Sequence, residues 1–223
     1  MSKNILIVGA SGLVGGEILK NLKTTNNDLI LLSRKKLICE NSINQIVIDF
    51  ENIDSLDASL KVDEIYIAIG QKLSLSELVY IKKNNRKSFV NVDYNYIKKV
   101  AEFAKNCGAN SVGLISAIGA NTKSLNTYLK VKGDVEQEIK LLGYKKIIIA
   151  HPSHLLGKRA GEDIPMNVKV FEQITNLFGL LMIGPLQKFR NVEAKKVAKA
   201  IISKMDSVEE GIHYIDYKYF KNF

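Results

Sequence analysis

Ile5-Leu6-Ile7-Val8-Gly9-Ala10-Ser11-Gly12-Leu13-Val14-Gly15 is the stretch that decides the fold. Four aliphatic residues in a row, with no polar alternation, read as a strand covered on both faces, as in parallel sheets. The next stripe, Leu13, Ile18, Leu19 and Leu22, has helical spacing and predicts a helix over residues 12–23. Between strand and helix, Gly9 permits a sharp turn, Gly12 lets the backbone approach a pyrophosphate, and Gly15 lets the helix pack close to the sheet. The N–H groups at the helix start, around Ser11, Gly12, Leu13 and Val14, then face an anion. A tight turn with incidental glycines is the other reading, and the placement between strand and helix favours the ligand.

Outward from this unit, strand and helix keep alternating. Continuous apolar runs predict strands over residues 4–8, 29–32, 45–48, 64–68, 111–115 and 146–150. Helices are expected at 88–106, closed by Gly108, and at 127–142, closed by Gly143. Residues 52–60 have room for one more, and 75–83 read as a short helix or turn. After Pro152 the pattern weakens to a polar loop at 157–161, helices at 168–177 and 191–204, and a last strand at 211–217. Sustained alternation predicts an α/β doubly wound parallel sheet, the Rossmann fold, with a small C-terminal lobe on the substrate side. No linker divides the chain, so residues 1–223 are read as one domain.

Composition sets the outer bounds. The 223 residues are 46% hydrophobic and 25% charged, ordinary for a globular domain. Cys39 and Cys107 sit in unrelated segments, which suggests a reducing compartment and a cytoplasmic protein rather than a disulfide framework. No run approaches the roughly 20 apolar residues of a membrane helix. The net charge of +9 is spread over nearly every segment, its densest groups being Arg34-Lys35-Lys36, Lys82-Lys83 and Lys195-Lys196. None is interleaved with aromatics, so a solvated basic surface is preferred to a nucleic-acid partner. His151 and His154 invite a metal, but no nearby Asp, Glu or Cys completes a set at a familiar spacing.

The end of the second strand addresses the cofactor. A carboxylate there would bind ribose hydroxyls and repel a 2′-phosphate. The chain has Ser33-Arg34-Lys35-Lys36 instead. Arg34 can clasp a phosphate in bidentate fashion, Ser33 can hydrogen-bond it, and Lys35 adds charge. The expectation is NADP(H), with NAD(H) second; a plain basic turn is the alternative. Asp49, just after the third strand, is placed to accept from an adenine amino group or to cap the strand end. Phe50 beside it, and Ala68, Ile69 and Gly70 at the end of the fourth strand, are further candidate contacts.

The reactive candidates come after the fifth strand. Ser116 closes it, and Tyr128-Leu129-Lys130-Val131-Lys132 puts Tyr128 and Lys132 on one helix face. An ammonium beside a phenol lowers the phenol's pKa, which would suit Tyr128 as proton donor to a carbonyl. Lys132 could also hold a nicotinamide ribose, and Ser116 could polarise the substrate oxygen. Tyr–Lys pairs are common on helices, so the weight lies in the combination with the glycine turn and the strand-end serine.

With these residues the chain resembles the short-chain dehydrogenase/reductases. It is most like their atypical branch and, within it, the Tat-interacting-protein-like NADPH-binding oxidoreductases. The likeness runs from Ile5 to about Lys204 through 9–15, 33–37, Val47-Ile48-Asp49-Phe50-Glu51, 115–120 and 128–136. The resemblance implies that Tyr128 is the catalytic tyrosine, Lys132 its lysine, and Asn91 a helix asparagine that helps order the site. Two departures stand out. Ala117 replaces a frequent second serine, and His151-Pro152-Ser153 replaces the Arg-Pro-Gly that packs by the nicotinamide in the family. The expected substrate is a small carbonyl or alcohol, in a cleft built from residues 70–87 and 155–190, where Gln71, Lys72, Lys158 and Arg159 could attract an anion. An enzyme of this kind and a non-catalytic NADP(H)-binding regulator or partner-binding protein both fit. Oligomeric state is not readable from one sequence.

Overall fold

The computed structural model of the chain describes residues 2–39, 43–157, 184–207 and 209–223. Its strands are β1 (Asn4–Val8), β2 (Asp28–Ser33), β3 (Asn44–Val47), β4 (Glu64–Ile67), β5 (Ser111–Ile115), β6 (Lys146–Ala150), β7 (Leu155–Leu156), β8 (Val192–Glu193) and β9 (Gly211–Ile215). Seven of them form one parallel sheet in the order β3-β2-β1-β4-β5-β6-β9, and β7 pairs with β8 apart from it. The chain leaves β1 toward one edge and returns beside it as β4. That reversal opens a crevice at the carboxyl ends of β1 and β4, where doubly wound sheets place their ligands.

Period-two burial explains why the strand runs are apolar throughout. Leu6, Val8, Leu32, Ile67, Leu114 and Ile149 point into one core. Ile5, Ile7, Leu31, Tyr66, Ile148 and Ala150 point into the other. The first is covered by helix α4 (Ile97–Asn106) and the far part of α5 (Thr127–Leu141); the second by α1 (Leu13–Leu22), α6 (Ala194–Asp206) and α7 (Tyr217–Phe220). The remaining helices, α2 (Leu75–Val79) and α3 (Lys83–Val90), lie on the cleft side of the sequence after β4.

Several boundaries depart from the sequence reading. The long helix begins five residues early, at Lys83, and runs through a π-helical turn, Asn91–Tyr96, between α3 and α4. The helix expected at 52–60 is a 3-10 turn over Phe50–Ser55, started by Asp49. The strand expected to 217 ends at Ile215, because the Asp216 side chain accepts from the Lys218 N–H and opens α7. The helix at 168–177, Lys158, Arg159 and most of the C-terminal lobe lie outside the described residues. Among the described residues no helix is long and apolar enough to cross a membrane.

Candidate functional site

The glycine turn sits at the mouth of the crevice. Gly9 has φ +94°, and a Cβ there would lie 2.5 Å from the Ala68 carbonyl oxygen, so this turn requires glycine. A Cβ on Gly15 would lie 2.1 Å from the Gly9 oxygen, which is what brings α1 against the end of β1. Gly12 is the N-cap of α1; no side chain caps the helix, and its first turn holds no acidic residue. The leading N–H groups and the positive end of the helix dipole are therefore left to an external anion. Ser11 is exposed, Leu13 half-buried and Val14 buried in the core. A small cavity of about 170 Å³ beside the helix start is lined by Leu13, Glu17, Leu156 and Gly157 among others. The free N–H groups at the helix start could receive the pyrophosphate of a dinucleotide.

The second-strand end is basic and open. Arg34, Lys35 and Lys36 are exposed. Ser33 is buried, and its hydroxyl donates to the Lys35 carbonyl at 2.7 Å, so it shapes the turn instead of offering its proton to a phosphate. Asp49 accepts from the Glu51 N–H at 3.1 Å, acting as a cap. Phe50 is buried edge-on against Tyr96, ring centroids 5.6 Å apart, and presents no side chain to a ligand. Ala68 and Ile69 are half-buried and Gly70 exposed along the crevice wall.

Asn91 does not reach the Tyr128–Lys132 pair. Its amide donates to Glu51 at 2.6 Å and to the Tyr96 hydroxyl at 3.1 Å, and it accepts from Asn95. Tyr96 itself donates to Glu51 at 2.7 Å. The residue of this helix that reaches the pair is Asp93, whose Oδ1 lies 2.8 Å from Lys132 Nζ with both side chains almost fully buried. The sequence held a signal for it. Phe89, Asp93, Tyr96 and Val100 share one helical stripe, and a carboxylate among buried aromatic and aliphatic positions needs a partner.

Tyr128 comes just after the N-cap Asn126, whose side chain accepts from the Leu129 N–H while its amide donates to the Leu78 and Val79 carbonyls. The Tyr128 ring packs on Phe89 at 5.9 Å, beside Ile81 and Val131. The phenol makes no hydrogen bond to any described residue, which leaves it for a ligand. Its pKa is raised, not lowered as the spacing suggested. Burial is the largest cause, and Asp93 adds to it, against the pull of Lys132. Lys132 is opposed by burial but held charged by Asp93, with help from Tyr128 and Glu136, so its pKa is raised too. Tyr128 is therefore a phenol, and Lys132 an ammonium, across the neutral range.

Ser116 and His151 belong to a separate cluster. The Ser116 hydroxyl donates to Glu136, and His151 Nε2 lies 2.8 Å from the same carboxylate oxygen. The His151 ring also packs against Tyr214, 5.4 Å away. The Pro152 carbonyl accepts from the Ile118 N–H, and the Ser153 hydroxyl donates to the Arg190 carbonyl. These groups tie β5, β6 and β9 together at their ends. With its proton spent on Glu136, Ser116 is not arranged to polarise a substrate, and sequence reasoning missed the acceptor that decides this.

Comparison with known proteins identifies the family. Scanned against protein-family models, the chain matches none. It is 32% identical over 165 residues to protein HTATIP2 of Rattus norvegicus, covering 71% of this chain and 65% of that one, just under two thirds of the relative's length. It is 31% identical over 176 residues to a Lodderomyces elongisporus protein named "Protein FMP52, mitochondrial", covering 71% and 69%. The chain belongs to the atypical short-chain dehydrogenase/reductases. Among solved structures, the Bordetella bronchiseptica enzyme WbmH in complex with NAD+ superposes with a TM-score of 0.68 at 13% identity, covering 97% of this chain and 75% of that one, a likeness of fold. The likeness to solved structures is one of fold; in this chain the glycine turn follows β1, the basic turn follows β2, and the Tyr128–Lys132 pair lies on the helix after β5.

Proposed function

We propose that this protein is an NADP(H)-dependent oxidoreductase acting on a small carbonyl or alcohol, with Tyr128 as its acid/base. The observation that supports it best is the Tyr128 phenol, still protonated and unpartnered among the described residues, beside the buried Lys132 ammonium and on the same edge of the sheet as the uncapped start of α1. A nicotinamide dinucleotide would be held by amides of the glycine turn and helix start that make no bond within the chain, those of Leu13 and Val14 among them, with Arg34 and Lys35 at its adenosine end, and would supply a hydride. Tyr128 is placed to give its proton to the oxygen of a carbonyl substrate, or to take one from an alcohol. Lys132 has three donors, one of them taken by Asp93, and can direct the others to ribose hydroxyls. Leu73 and Ile81 pack with Phe89, Val131 and the Tyr128 ring in one apolar cluster. A reducing, cytoplasmic location is the compartment the two free thiols favour.

The test is Tyr128→Phe in a screen of small aldehydes, ketones and sugars with NADPH. Turnover is expected to be lost while NADPH still binds; turnover that survives would remove Tyr128 from the mechanism. The capture of Ser116 by Glu136 favours a second reading, a non-catalytic NADP(H)-binding protein. Tight NADPH binding with no oxidation across the screen would select it.

A further inference from the structure

We propose that Asp93 is the positioning residue of the Tyr128–Lys132 pair, one carboxylate oxygen holding the Lys132 ammonium and the other holding the start of the substrate-side segment through the Gln71 amide. This deepens the oxidoreductase reading and rests on it. Oδ1 lies 2.8 Å from Lys132 Nζ, and Oδ2 accepts from the Gln71 N–H at 2.7 Å. Gln71 is the first residue after Gly70, where a Cβ would stand 3.1 Å from Asp93 Oδ1 and 3.8 Å from Lys132 Nζ. The ion pair is thus seated against bare backbone at the end of β4, with no side chain between it and the crevice.

The π-helical turn is what aims the carboxylate. An extra residue in one helical turn rotates the two flanking stretches of helix against each other, and such turns recur at functional sites. Here the turn sends Asn91 and Asn95 toward Glu51 and Asp93 toward Lys132. A lysine stem has four rotatable bonds, and a buried ammonium without a counter-charge gives up its proton. Asp93 removes both freedoms. It fixes the direction of Nζ and keeps it charged, in company with Tyr128 and Glu136, the other titratable groups that face it from α5. Because the same carboxylate also carries Gln71, the place where the cofactor ribose would sit and the segment over the substrate share one anchor.

Asp93→Asn keeps the size and removes the charge. For the wild type, NADPH affinity read by fluorescence should be flat from pH 7 to pH 9. In Asp93→Asn it should fall by about tenfold over that range as Lys132 loses its proton. In a Lys132→Met background the same substitution should change nothing further. Hydrogen exchange in residues 71–82 of the cofactor-free protein should quicken by about tenfold, as for loss of one charge-assisted hydrogen bond, with β1 and β4 unmoved. A flat pH profile with unchanged exchange overturns the proposal, as does a loss of affinity that persists in the Lys132→Met background. If the wild type takes up no NADPH, the oxidoreductase reading falls, and the exchange result alone decides whether Asp93 anchors the segment. Should Asp93→Asn not fold, Gln71→Pro, which loses the amide donor together with the Ser88 contact, is compared with Gln71→Ala, which loses the Ser88 contact alone: exchange in residues 72–82 should quicken more in the first, and no difference between them overturns the anchor.

Discussion

Helix α5 carries two polar clusters, one around Tyr128 and Lys132 and the other around Glu136, one turn on from Lys132, and they are finished to different degrees. Around Tyr128 and Lys132 the charges balance, Asp93 against the ammonium, yet the phenol stays without a partner among the described residues. Around Glu136 the carboxylate accepts a hydrogen bond from the Ser116 hydroxyl and is in contact with His151 Nε2, so the serine and the histidine are both answered within the chain. Buried polar groups that are fully answered hold elements together, here the ends of β5 and β6. The Tyr128 phenol, half-buried and unanswered among the described residues, is open to a ligand. Under the proposed function the first cluster is a working group and the second is left as a clasp.

The largest effect should separate them directly. Tyr128→Phe should reduce turnover by about 10² to 10⁴-fold, the range for a positioned proton donor, with little change in stability. Ser116→Ala should do the reverse, leaving turnover close to wild type and lowering stability by about 1–3 kcal/mol in denaturant melts, since Glu136 loses a charge-assisted donor. If Ser116→Ala abolished turnover without loss of stability, Ser116 would rejoin the catalytic group and the contrast would fail.

How much of this the sequence carried depended on whether the partners were local. Gly9 to Gly15 could be read because turn, anion site and helix packing are all made within one strand–helix unit. Tyr128 and Lys132 could be read because four residues make one helical turn. The role of Ser116 could not, since its partner lies twenty residues on and nothing near the serine announces it. Asp93 was marked only by its place among the apolar positions of its helix, and the family pattern pointed to Asn91 instead. The π-helical turn rotates Asn91 toward Glu51, and a change of hydrogen-bond register leaves no compositional trace. The phenol's raised pKa likewise needed Asp93, because the spacing showed the ammonium and not the charge that cancels it.

The adenosine end of the crevice extends the comparison to smaller effects. Arg34 is exposed and free to move, whereas Glu51, Tyr96 and Asn91 beside it form another closed set. Arg34→Ala should weaken NADPH by about tenfold, as for loss of one charge-assisted contact, and leave NADH nearly unchanged by fluorescence titration. Equal losses for both nucleotides would mean that Arg34 does not read the 2′-phosphate.

The smallest effect concerns Tyr96. The hydrogen bond to Glu51, with burial second, lifts its phenol from the ordinary 10 to about 12. The folded chain therefore holds this proton more tightly than the unfolded chain does. The resulting stability is complete below pH 10 and is lost as pH rises from about 10 to about 12. The same bond lowers Glu51, so its stabilisation holds above the ordinary carboxylate range and fades on acidification. Glu51→Gln should bring the Tyr96 phenol back toward 10 in an ultraviolet titration and flatten both limbs of stability against pH. Turnover and the Lys132-dependent NADPH profile should stay as they were, because this set stands on the far side of the π-helical turn from Asp93. A Glu51→Gln protein whose NADPH profile tilted with pH would show that the turn couples the two sides, and the division between closed and open clusters would have to be redrawn along the helix.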